Sequence, residues 1–126
     1  MPLPNGTWKA NVDGSLSDLI INAPNQNGVF TGSFAATDIK GFWDEVSQTI
    51  TFTLTTTFVN GFPAIALYKG YLFRTPINAA PGVDVTATLA GFMQITPDAA
   101  GSVAAPEIGS SRRNIFGWFA QIVEVL

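Results

Sequence analysis

The chain has 126 residues, of which 47% are apolar and only 12% charged, with six basic against nine acidic side chains and a net charge of −3. That is one domain of ordinary size, with enough apolar material for a core and little charge to spread over its surface. Histidine and cysteine are both absent, which excludes disulfides, thiolate nucleophiles, Cys/His zinc sites, imidazole acid–base chemistry and a Ser-His-Asp triad.

The charge balance argues against nucleic acid, whose binding rests on clustered Lys and Arg. The adjacent pair Arg112-Arg113 reads as a solvated loop. No apolar run approaches the ~18 residues of a membrane helix. The start, Met1-Pro2-Leu3-Pro4-Asn5, has neither the charged n-region nor the apolar h-region of a signal peptide. The expectation is therefore no nucleic acid, no membrane and no cofactor, with secretion and the cytoplasm both open.

The hydrophobic period is two almost throughout, in segments rich in Phe, Val, Ile and Thr and punctuated by Gly, Pro and Asn. The pattern predicts strands over Gly6–Val12, Leu16–Asn22, Val29–Ala35, Asp38–Trp43, Gln48–Val59, Ala64–Arg74, Val83–Ile95 and Arg113–Val125. Asn27-Gly28 and Asn60-Gly61 supply tight-hairpin signals. Asp44-Glu45-Val46-Ser47 is a polar turn. The stretch from Thr96 to Arg112, rich in Ala, Gly, Ser and Pro, reads as one long loop. Consecutive strands with short turns favour antiparallel neighbours, and closure removes their edges. The predicted fold is all-β, an eight-stranded antiparallel up-and-down β-barrel in a single domain over 1–126.

The fifth strand is one-sided, with Ile50, Phe52 and Leu54 facing in and a comb of threonines facing water. The last three strands are apolar on both faces, and no helix is predicted to cover the outer one. The economical cover is a second copy of the chain, as a homodimer or homotetramer. Ile65, Leu67, Tyr71, Phe73, Leu89, Met93, Ile115 and Phe119 are its candidate interface.

Several motifs in the first half are similar to the opening of the avidin and streptavidin family. They are Gly6-Thr7-Trp8, then Asn11-Val12-Asp13-Gly14-Ser15, then Gly28-Val29-Phe30-Thr31-Gly32-Ser33-Phe34. Tyr68-Lys69-Gly70 and Asn114-Ile115-Phe116 resemble its sixth and last strands. The resemblance follows strand order over the whole chain, with its specific motifs in the opening. It implies a streptavidin-like barrel that holds a small ring-containing ligand at its open end. Asn11, Ser15 and Asn114 would be its polar contacts, and Phe34, Thr56, Tyr68 and Phe92 its walls. Phe34 stands where the family has Tyr, Ala36 where it has a hydroxyl, and Tyr68 and Phe92 where it has Trp. Each hydrogen bond missing from a desolvated pocket costs about 1–3 kcal/mol, so the resemblance implies biotin binding that is weak at best.

Two other readings stand beside this one. A self-associating module would have a barrel plugged by its own aromatics and no ligand. A barrel-type cyclase or isomerase would use Tyr68 as an acid; Asp84 and Arg74, if they meet across the mouth, read separately as an ordinary ion pair. Nothing else in the sequence asks for an enzyme, and no catalytic residue is assigned. Asn11 and Ser15 also have a plain structural reading, as residues that shape the first hairpin.

Overall fold

Nine strands run in chain order in the computed structural model: β1 (Gly6–Val12), β2 (Ser15–Ile21), β3 (Val29–Phe34), β4 (Thr37–Asp44), β5 (Thr49–Thr57), β6 (Pro63–Pro76), β7 (Val85–Ala99), β8 (Ser110–Ser111) and β9 (Asn114–Glu124). The structure describes residues 2–57, 63–76, 85–99, 110–111 and 114–124, and their side chains except at 56–57, 63–64, 76, 96–99, 110–111 and 114. Each long strand pairs antiparallel with its sequence neighbour, and β9 returns to β1. The result is a closed, eight-stranded up-and-down barrel, with the short β8 paired to the end of β7. β1, β3, β5 and β7 finish at one end, called here the mouth. β2, β4, β6 and β9 finish at the opposite, far end, and the short β8 lies at the mouth.

Local chemistry sets the turns. Asp13 (φ 50°) and Gly14 (φ 85°) form a two-residue turn with both residues left-handed, the conformation that matches strand twist. Asn11 Oδ1 accepts the Gly14 N–H at 2.9 Å and holds that turn. Ala35 and Ala36 make the corresponding turn between β3 and β4, at φ 48° and 65°. Between β2 and β3, positive φ falls on Gly28 and not on Asn27. There Asn25 Oδ1 accepts from the Asn27 and Val29 N–H groups at 2.9 and 3.0 Å, so the connection is a wider loop organised by Asn25 rather than an Asn-Gly hairpin. Asp44 Oδ1 accepts from Val46 N–H at 3.0 Å in the polar turn predicted there. Asn60-Gly61 lies outside the described residues.

The predicted loop from Thr96 to Arg112 is corrected. β7 runs on to Ala99, and Asp98 and Ala99 pair with Ser111 and Ser110 in the register set by Ile95 and Asn114. The ladder thus reaches into both ends of that stretch, and residues 100–109 and 112 lie outside the described ones. Composition concealed it, because Pro97, Asp98 and Ala99 are poor strand formers that pairing nevertheless holds in the ladder.

The core lies inside the barrel, with Trp8, Leu19, Ile50, Phe52 and Leu89 wholly buried. The Trp8 indole N–H donates to Pro4 O at 3.1 Å, which ties the N-terminal segment to β1. At the far end Arg74 Nε donates to Glu124 Oε2 at 2.6 Å, and Arg74 Nη2 donates to Pro2 O at 2.9 Å. This pair joins β6, β9 and the N-terminal segment. Arg74 thus meets Glu124 and lies away from the mouth; Asp84, its expected partner, lies outside the described residues.

Candidate functional site: the barrel mouth and the outer strip

The bore is filled by aromatic side chains. The Phe52 and Tyr68 rings stack at 4.7 Å with 6° between their planes. Trp118 meets both edge-on, at 5.8 and 5.6 Å, and Phe34 lies 5.3 Å from Tyr68. Such stacked and T-shaped pairs add to the stabilisation from burial alone. The Trp118 N–H donates to two main-chain carbonyls, Lys69 O at 3.2 Å and Phe92 O at 3.0 Å. One indole therefore pins β9 to both β6 and β7. Gly70 makes room for it, since a Cβ there would come within 2.8 Å of Trp118 Cζ2.

Toward the mouth, Val12, Leu54, Ile95 and Phe116 are half-buried and pack on the core, with Phe116 level with Tyr68 and Leu54 and Ile95 one row above. The register places them in the inward rows that end at the mouth, with Leu54, Ala66 and Ile95 side by side and Tyr68, Met93 and Phe116 one row deeper. Burial alone raises the Tyr68 phenol above its usual range; among the described residues no hydrogen bond to its hydroxyl is found, and the hydroxyl is not a fully buried orphan. A neutral phenol beneath an apolar ring can offer one hydrogen bond to a small polar group while the rings bury the rest of a ligand.

The predicted site residues divide. Phe34 and Tyr68 are inward, buried and in contact. Phe92 is not a wall, because it faces outward and is 41% exposed. Asn11 shares neither face nor role with them. Trp8, Ala10 and Val12 take the inward positions of β1, so Asn11 points outward and spends its carbonyl oxygen on Gly14. Ser15 opens β2 and is exposed. The side chains of Thr56 and Asn114 lie outside the described ones. The strand alternation starting from Trp8 already carried the Asn11 signal. Sequence reasoning missed the half-buried ring, whose signal is apolar residues at inward positions near the ends of successive strands.

The outer face of β6, β7 and β9 is an apolar strip. Ile65, Tyr71, Phe73, Ile115 and Phe119 are exposed on it as expected, and Leu67 is half-buried. Leu89 and Met93 are corrected, since both point into the barrel and are buried. Phe92 and Val123 join the strip in their place. The register lines its rows up as Leu67–Gln94–Ile115, Lys69–Phe92–Gly117, Tyr71–Ala90–Phe119 and Phe73–Thr88–Gln121. Lys69 is the one charge on it among the described side chains. Polar strands flank the strip: the β5 threonines on one side, and on the other Lys9, whose Nζ lies 2.7 Å from Asp18 Oδ1.

A cavity of about 410 Å³ opens at the far end, between the Pro24–Gly28 turn, Phe42, Trp43 and the N-terminal Pro2-Leu3. Its polar rim serves the local fold: Asn25 and Asp44 accept from their own turns, and the Trp43 indole donates to Glu45 Oε2 at 2.6 Å. Among the described residues no acidic cluster could hold a metal ion, and no helix is long and apolar enough to cross a membrane. Compared with known proteins, the chain matches no family model, no curated protein and no solved structure.

Proposed function

We propose that this chain is a binding barrel that holds a small, flat, partly apolar ring at its mouth and performs no chemistry on it. One observation carries the reading: Tyr68, a desolvated phenol with no hydrogen bond to its hydroxyl among the described residues, shares the mouth-side inward rows with half-buried Leu54, Ile95 and Phe116. A phenol in desolvated surroundings gains from a hydrogen-bond partner, and a ligand carbonyl or ring nitrogen would supply one. The aromatic stack fills the bore below, so the ligand sits shallowly, on Phe34 and Tyr68. The groups in ring contact with Tyr68 are Phe34, Phe52 and Trp118, none of which can relay a proton, which supports binding over catalysis. The resemblance to the avidin and streptavidin family supports a cyclic urea or similar heterocycle, with biotin held weakly because Asn11 is committed to its turn.

Ligand-observed NMR with biotin, 2-imidazolidinone and a panel of heteroaromatic fragments tests this. Saturable binding is expected, and Tyr68→Phe should weaken the polar fragments by about tenfold, the worth of one hydrogen bond in a desolvated site. If no fragment binds saturably, or if Tyr68→Phe and Phe116→Ala leave binding unchanged, the reading fails. The same stack favours a second reading, a barrel plugged by its own aromatics that acts only through its outer surface. A complete absence of fragment binding would select it.

A further inference from the structure

We propose that two copies of this chain pack face to face across the outer strip of β6, β7 and β9, with Phe92 of each copy seated in the notch over the partner's Gly117. Gly117 is a glycine that the described residues of the chain itself do not require. Gly117 lies in the middle of β9 with a φ outside the left-handed region, and a Cβ built there would meet nothing closer than Gly91 O at 4.0 Å. Gly70 differs, because the Trp118 ring occupies the space where its Cβ would lie. A glycine within a strand costs roughly 0.5–1 kcal/mol against alanine. A strand glycine without an internal reason marks a close approach from outside.

The neighbour of that notch identifies the visitor. Phe92 is directly paired with Gly117 across the β7–β9 ladder, on the same outer face. A two-fold axis lying in the interface plane, along the strands and midway between β7 and β9, carries each Phe92 onto the other copy's Gly117. A knob beside a notch is therefore self-complementary, as an isologous interface requires. An unrelated partner would have to match the knob and the notch separately.

Area and charge agree with a second copy. Tyr71, Phe73, Phe92 and Phe119 are each about half exposed, leaving roughly 400 Å² of aromatic surface in water. Ile65, Ile115 and Val123 extend the patch. That approaches the ~800 Å² per partner of a standard interface and reaches the upper range for patches on a monomer. The apolar centre with polar borders has the layout of an interface core and rim. Lys69 lies one strand beyond Phe92 from the axis, so strand spacing alone keeps the two ammonium groups about 14 Å apart.

Sedimentation velocity of the purified chain, from micromolar concentration upward, tests the proposal. The wild type should run as a dimer, or as a larger assembly built from it. Gly117→Val should weaken association at least tenfold while leaving the near-UV circular dichroism and the thermal midpoint of the monomer unharmed. Phe92→Ala should do the same, and Phe92→Ala combined with Gly117→Phe should recover association by exchanging knob and notch. A wild type that stays monomeric overturns the proposal. So does a dimer indifferent to Gly117→Val. A Gly117→Val chain that fails to fold overturns it as well, since the notch would then serve the chain's own packing.

Discussion

Ala35 and Ala36 occupy the tight β3–β4 turn at φ 48° and 65°, where an L side chain crowds the following carbonyl. Neither residue is a turn former, and nothing in their chemistry announces the turn; it was legible only as the gap between two alternating segments. Ala36→Gly should raise stability by about 1 kcal/mol, measured by urea unfolding, because glycine adopts this region without the steric penalty. Tyr68 gives a second residue-scale expectation. Burial lifts its phenol above the ordinary 10.0, so deprotonation is harder in the folded than in the unfolded chain. The stability tied to that neutral phenol is complete below pH ~10 and is lost as pH rises through the raised value. Urea midpoints followed into the alkaline range should fall, and Tyr68→Phe should flatten that fall. Asn11 shows the limit of motif reading. Its spacing to Ser15 suggested a shared ligand, yet alternation from Trp8 turns its side chain outward, and the nearby Gly14 N–H claims it.

At the scale of elements, one-sided strands were legible and two-sided strands were not. β5 carries threonine on one face and Ile50, Phe52 and Leu54 on the other, so its orientation followed from the sequence alone. β7 offers two apolar rows, Leu89 with Met93 and Ala90 with Phe92, and hydrophobicity cannot choose between them. Volume chooses. Phe52, Tyr68 and Trp118 already fill the bore at that level, and Phe92 is left outside. Trp118 then fastens the three strands by donating to Lys69 O and Phe92 O. Trp118→Phe keeps an aromatic ring but strips both carbonyls of their donor. It should cost about 1–3 kcal/mol in equilibrium unfolding, and Gly70→Ala, which drives a methyl into the same indole, should be destabilising too.

For the whole molecule, strand count and up-and-down order followed from the spacing of turns. Closure followed from the cost of open edges. The extension of β7, with β8, into the predicted loop did not, because only pairing makes strands of Asp98, Ala99, Ser110 and Ser111. Closure joins β1 to β9, opposite ends of the sequence, through pairs such as Ala10 with Ala120. Such distant pairing makes folding slow, because a long loop must close before its contacts form. Stopped-flow refolding followed by tryptophan fluorescence should fall between milliseconds and seconds; a full-amplitude microsecond phase would contradict this.

The seam between β1 and β9 is shorter than the strand it closes. β1 pairs β9 only from Gln121 back to Trp118, where Val12 gives way to the Asp13-Gly14 turn, while β7 accompanies β9 down to Asn114. From Asn114 to Gly117, β9 therefore has one ladder neighbour among the described residues instead of two. One strand should show two exchange regimes: amides flanked on both sides from Trp118 to Gln121 opening only with the barrel, and those nearer the mouth trading hydrogen for deuterium by local fraying.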